Sequence, residues 1–175
     1  MYWHLLKHHP DFKLIIVPRH VERTAAIIEL LHLAGLSDVI TLSEINKGKR
    51  RGKQRVLVVD VIGELFKIYS LATIVYCGGS LVPKGGQNIL EAAAWGKVIF
   101  FGPSMEDFSE EKVLLEDVGC GVSIKNEQEL LQGILQALGN PEELEKRGVR
   151  GKAVVAANMG AAVRYAQMIS KVTGV

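Results

Sequence analysis

Apolar residues fall along this chain in short blocks, and the blocks alternate with stretches of helical spacing. Lys13–Val17 (KLIIV), Asp38–Leu42 (DVITL), Arg55–Asp60 (RVLVVD), Thr73–Cys77 (TIVYC) and Lys97–Phe101 (KVIFF) are bounded by charge, Gly or Pro, and a shorter run, GVSI, surrounds Val122. Runs of this length, rich in β-branched and aromatic residues, predict strands. Most show no polar alternation, as expected where helices cover both faces of a parallel sheet. Between them, Val21, Ala25, Ile28 and Leu31 repeat at helical spacing and stop near Gly35. Shorter helices are predicted over Tyr2–His9, Gly63–Leu71, Asn88–Trp95 and Glu106–Val118. Only helices follow: Glu127–Leu138, then a segment that opens on Pro141, a residue suited to a first helical turn, and runs to about Val172. This alternation predicts an α/β fold, a parallel sheet flanked by helices.

A length of 175 residues fits one core, so residues 1–175 are expected to form a single domain. No stretch approaches the roughly 20 apolar residues that span a bilayer. The opening MYWHLLKHHP lacks the basic start, long apolar centre and cleavage site of a secretory signal, so a cytoplasmic location is expected. Lys plus Arg number 21 against 19 Asp plus Glu, a net charge of +2 that calls for no nucleic-acid partner. Electrostatic function must then be local. The most linker-like segment, Asn46–Arg55 (NKGKRRGKQR), carries six cations between Lys47 and Arg55; it reads as a solvated loop or as a contact for anionic lipid headgroups. Cys77 and Cys120 have neither metal-ligand spacing nor a disulfide-rich context and read as free thiols. His8 and His9 are adjacent, a poor arrangement for shared ligation. No metal and no cofactor are expected.

In open α/β sheets ligands bind beyond the carboxyl ends of the strands. The segments there are PRHVER (Pro18–Arg23), VIGEL (Val61–Leu65), GGSLVPKGGQN (Gly78–Asn88) and GPSMEDF (Gly102–Phe108). The third is the most unusual, with two glycine pairs before a helix that carries Glu91 in its first turn. Glycines let backbone approach a ligand, and a helix start offers free N–H groups, a combination suited to a phosphate or carboxylate. It matches neither the dinucleotide nor the P-loop fingerprint. Asn88 and Glu91 also have the spacing of a capping box. Arg19 can grip a phosphate bidentately or pair with Glu22; His20 is a candidate contact or a loop side chain; Glu64 suits a helix start on dipole grounds alone. Asp60 is the one acid at a strand end with an inward placement. Nothing spells a nucleophile elbow or a Cys/His pair. The pattern is that of a binder.

These segments, in this order, resemble the carboxyl-terminal half of the Kdo transferases, bacterial enzymes that add 3-deoxy-D-manno-octulosonic acid from CMP-Kdo to a lipid A precursor. The resemblance runs over about Phe12–Leu135 and is carried by IIVPRHVER and VIGEL…YSLATIVYCGGSLVPKGGQNILEAAAWGKVIFFGP. It implies a Rossmann-like sheet, the second, donor-binding domain of a GT-B glycosyltransferase. It further implies that Pro18, Arg19, Ile62, Gly63, Glu64, Asn88, Ile89, Leu90 and Glu91 surround CMP, with phosphate near Arg19 and ribose hydroxyls on Glu91. His20, Gly79, Ser80, Lys84, Gly85, Gly86 and Gln87 are further candidates for phosphate or sugar contact. The family's acceptor domain, which looks like the carrier of the general base and the membrane-facing surface, has no counterpart in this sequence. Its motif after the first strand of the second domain is also absent. The chain is therefore expected to be truncated at its amino terminus, to hold no catalytic residue and to transfer nothing alone. Two other readings stand beside this one: another GT-B domain using a UDP-sugar, and a non-catalytic anion-binding α/β module.

Overall fold

A computed structural model of the chain describes residues 1–158. The contacts divide it into two units, Met1–Leu71 and Ala72–Val175.

The first unit begins with α1 (Tyr2–His8) and continues through β1 (Leu14–Ile16), a 3₁₀ turn (Val21–Arg23), α2 (Thr24–Leu33), β2 (Val39–Thr41), α3 (Leu42–Asn46), β3 (Val56–Val58), α4 (Leu65–Ile68) and a second 3₁₀ turn (Tyr69–Leu71). Its strands pair in parallel in the order β1-β3-β2, with Ile15 and Ile40 both opposite Leu57. The central strand β3 is buried along its whole length. Ile40, Leu57 and Val59 form a buried cluster against which Ile15, Val17, Leu42, Ile45, Val61 and Ile68 pack. By contrast α2, although rich in Ile and Leu, has no fully buried residue, and Leu30 and Leu33 are exposed.

The second unit runs β4 (Ile74–Tyr76), α5 (Leu90–Ala94), β5 (Val98–Phe101), a 3₁₀ turn (Glu106–Phe108), α6 (Ser109–Asp117), β6 (Gly121–Ser123), α7 (Glu127–Leu138) and α8 (Pro141–Asn158). Its strands are again parallel, in the order β4-β5-β6. Every residue of β5 is buried, which explains why VIFF carries no polar position. The amino end of α7 is held by Asn126, whose side-chain oxygen accepts from the backbone N–H groups of Gln128 and Glu129. Helix α8 approaches the end of α5 closely at a pair of glycines: a Cβ on Gly148 would lie 2.0 Å from the Gly96 carbonyl oxygen, so only a bare Cα fits there.

All six predicted strands are present, each trimmed at one or both ends. The predicted helix at Val21–Gly35 opens as a 3₁₀ turn, as does that at Glu106–Val118, and α5 starts at Leu90 rather than Asn88. Helix α3 was not predicted and starts at the last residue of the apolar run DVITL: Thr41 ends β2 and caps α3, its hydroxyl accepting from Glu44 N–H at 3.2 Å while the Glu44 carboxylate accepts from Thr41 N–H at 3.0 Å. The predicted continuation of the last helix to about Val172 lies outside the described residues.

Candidate functional site

In the second unit the glycine-rich loop after β4 and the GPSMED loop after β5 are braced by two serines. Ser80, fully buried, donates to the Cys77 carbonyl at 2.6 Å and accepts from Gly102 N–H at 2.7 Å. Ser104 accepts from the backbone N–H groups of Lys84 at 3.1 Å and Gly85 at 3.0 Å, and donates to the Glu106 carboxylate at 2.8 Å. Its own N–H reaches the Ser80 carbonyl at 2.9 Å. Glu106 accepts from its own backbone N–H and from Ser104, which holds its carboxyl below the ordinary glutamate value.

This bracing accounts for the second glycine pair. Gly85 and Gly86 have φ of +73° and +77°, a region that side-chain-bearing residues enter at a cost. A Cβ on Gly85 would lie 2.3 Å from Asp107 Oδ2, and one on Gly86 2.4 Å from the Met105 sulfur. The pair lets the two loops touch.

Asn88 and Glu91 do not close a capping box. The residue capping α5 is Ile89, with no side-chain cap; the Asn88 side-chain oxygen accepts from Leu90 N–H at 3.0 Å, and its amide faces the Glu91 carboxylate at 3.5 Å. Ile89 is buried, whereas Asn88 is exposed and Leu90 and Glu91 are partly so. Lys84 is exposed; Gly79, Gly85 and Gln87 are partly buried and Gly86 is buried. Ser80 stands apart from the other candidates: both capacities of its hydroxyl are taken up inside the protein. Cys77 and Cys120 are free and buried, and burial pushes both thiols up, Cys120 to about 11.

In the first unit Pro18 is partly buried and Arg19 exposed just beyond β1. Glu22, the partner considered for Arg19, instead meets His20 Nδ1 at 3.2 Å, and among the described residues Arg19 forms no ion pair. Ile62 is 86% exposed, Gly63 has φ +87°, and Glu64 pairs with Lys67 at 3.1 Å. Asp60 accepts from the Ser43 N–H at 2.8 Å and hydroxyl at 2.5 Å. Burial alone would raise its carboxyl; the Ser43 hydrogen bonds outweigh burial and leave it below the ordinary aspartate value. Its inward placement thus anchors α3.

No family model matches the sequence. Individual proteins do. The chain is 31% identical over 139 residues to the 3-deoxy-D-manno-octulosonic acid transferase of Aquifex aeolicus, covering 79% of this chain. It is 30% identical over 166 residues to that of Haemophilus influenzae, covering 94%. It spans 37% and 38% of the lengths of those two proteins. The crystal structure of the C-terminal CMP-Kdo binding domain of WaaA from Acinetobacter baumannii superposes with a TM-score of 0.77 at 26% identity, over 87% of this chain and 78% of that one. The chain is related to the carboxyl-terminal part of the Kdo transferases. Its fold is that of the carboxyl-terminal domain of a GT-B Kdo transferase, as the resemblance implied.

What the motifs of a Kdo transferase did not reveal is the role of Ser104. Its contacts join residues 19 and 20 positions apart, which no periodicity reports. A serine two residues beyond the glycine that ends a buried strand was the only signal.

Proposed function

We propose that this chain is the CMP-Kdo-binding part of a glycosyltransferase that transfers Kdo to a lipid A precursor in lipopolysaccharide biosynthesis. The observation that carries the reading is the superposition on a CMP-Kdo binding domain at 26% identity over 87% of the chain. The joint presence of the PRH, GEL and GGQNxLE segments supports it. Arg19, exposed and without an ion pair among the described residues, is proposed to grip the donor phosphate, and Glu91 to accept hydrogen bonds from ribose hydroxyls. Pro18, Ile62, Gly63, Glu64 and Asn88–Leu90 are proposed to line CMP. The general base and the acceptor site are assigned to a further domain of the full enzyme, so this chain alone is proposed to be inactive. The full enzyme is proposed to work on the cytoplasmic side of the bacterial inner membrane, touching anionic lipid peripherally. Among the described residues no helix is long and apolar enough to cross a membrane.

Calorimetric titration of the chain with CMP, UMP, UDP and inorganic phosphate tests the reading. Preference for CMP is expected, and Arg19→Ala and Glu91→Ala should each weaken it by about 1–3 kcal/mol, the range for a lost charged hydrogen bond. Preference for UDP would move the assignment to a UDP-sugar enzyme. Binding of phosphate without base preference would favour a plain anion-binding module.

A further inference from the structure

The cations of the Lys47–Arg55 loop lie at the end of the first unit's sheet that carries no motif. Lys13, Asp38 and Arg55 immediately precede β1, β2 and β3, and these strands are parallel, so the three residues share the amino edge. An open cleft of about 450 Å³ lies there, with Lys13, Arg51, Lys53 and Arg55 in its wall together with Asp11 and Asp38. Lys47 and Arg50 extend the same exposed loop.

Little among the described residues neutralises these charges. Of the six loop cations only Lys49 forms an ion pair among the described residues, with Glu44 at 2.6 Å. Arg51 donates to the Gln54 carbonyl at 3.4 Å and Arg55 to the Pro10 carbonyl, which are dipoles and not charges. A guanidinium has five N–H donors in a planar fork, so each keeps donors for a bidentate anion. The cleft wall carries four cations against two acids. A phosphate monoester brings about two negative charges at neutral pH, enough to match that excess.

We infer that this amino-edge cleft and its basic loop form an anion site for a phosphate-bearing group. The group is either the phosphate of a lipid headgroup or a soluble phosphate ester. The cleft is too open to read the rest of the ligand, so recognition rests on phosphate and charge.

The test titrates the whole chain with inorganic pyrophosphate by calorimetry, and with vesicles of equal parts phosphatidylcholine and phosphatidic acid by flotation, against phosphatidylcholine alone. Each basic side chain at an anionic surface contributes about fivefold, so Arg50→Gln, Arg51→Gln and Lys53→Gln together should cost about a hundredfold. The same charge removed elsewhere, by Lys125→Gln, Lys146→Gln and Lys152→Gln, should leave binding as it was. Vesicle binding alone assigns the lipid source, and pyrophosphate binding lost in the cleft variant assigns the soluble one. Binding of neither probe, binding that the cleft variant retains, or an equal loss in both triple variants overturns the site. CMP affinity is expected to be unchanged in the cleft variant, so a failure of the nucleotide reading would leave this result standing.

Discussion

Replacing Ser80 with alanine separates a structural hydroxyl from a ligand-binding one. Ser80 is fully buried, and its hydroxyl joins the Cys77 carbonyl at 2.6 Å to the Gly102 N–H at 2.7 Å. Both partners are buried backbone groups. Alanine removes one oxygen, introduces no clash, and leaves an acceptor and a donor unpaired. An unsatisfied buried group costs roughly 1–3 kcal/mol, and two that share one lost partner are expected to cost about 2–4 kcal/mol together. With a urea slope of about 2 kcal/mol per molar, the middle of the usual range, the unfolding midpoint should fall by about 1–2 M. CMP affinity, measured well below that midpoint, should change far less than in Glu91→Ala. A stability loss under about 0.5 kcal/mol, the range of an indifferent surface change, combined with a clear drop in CMP affinity, would refute the argument and place the hydroxyl on the ligand.

Gly148→Ala should destabilise the chain by about 1–3 kcal/mol, the usual cost of overpacking, because its Cβ would meet the Gly96 carbonyl oxygen at 2.0 Å; urea unfolding checks this. Asp60 is held below its ordinary value, so its contribution is fully present above the unfolded aspartate value and is lost as pH falls through the folded one. The stability difference between the chain and Asp60→Asn should therefore shrink below about pH 4, as acid titration followed by circular dichroism will show. Cys120 behaves in the opposite sense: its thiol is raised from 9.0 to about 11, so its contribution is complete below pH 9 and disappears as pH climbs towards 11. Stability of Cys120→Ala should fall less steeply over that interval.

The strands were legible because each is a short apolar run that a two-sided sheet demands, and β5, buried at all four positions, is the clearest instance. Capping was harder. Thr41-x-x-Glu44 and Asn88-x-x-Glu91 spell the same local pattern, yet only the first forms a reciprocal cap. In the second, the buried Ile89 occupies the capping position and Asn88 faces outward. Tertiary packing decided between two similar local signals that differ in Thr against Asn at the first position. The strand-end loops were singled out as candidates, but their residues were not separable. Ser80 and Lys84 belong to one glycine-rich segment, and the structure turns the first into the interior and leaves the second exposed. The alternative pairing of Arg19 with Glu22 is not formed; His20 lies 3.2 Å from Glu22 instead.

Ser104 binds two consecutive backbone amides of one loop and a carboxylate of the other, so these loops hold a common conformation before any ligand arrives. The rotational freedom of Lys84–Gly86 is then surrendered during folding. A nucleotide meeting these loops would not bear that entropy loss, and preorganisation of this kind strengthens binding without adding a contact. The signature lies in the partition of the binding free energy: in Ser104→Ala the entropy of CMP association should become less favourable, even where the enthalpy is little changed.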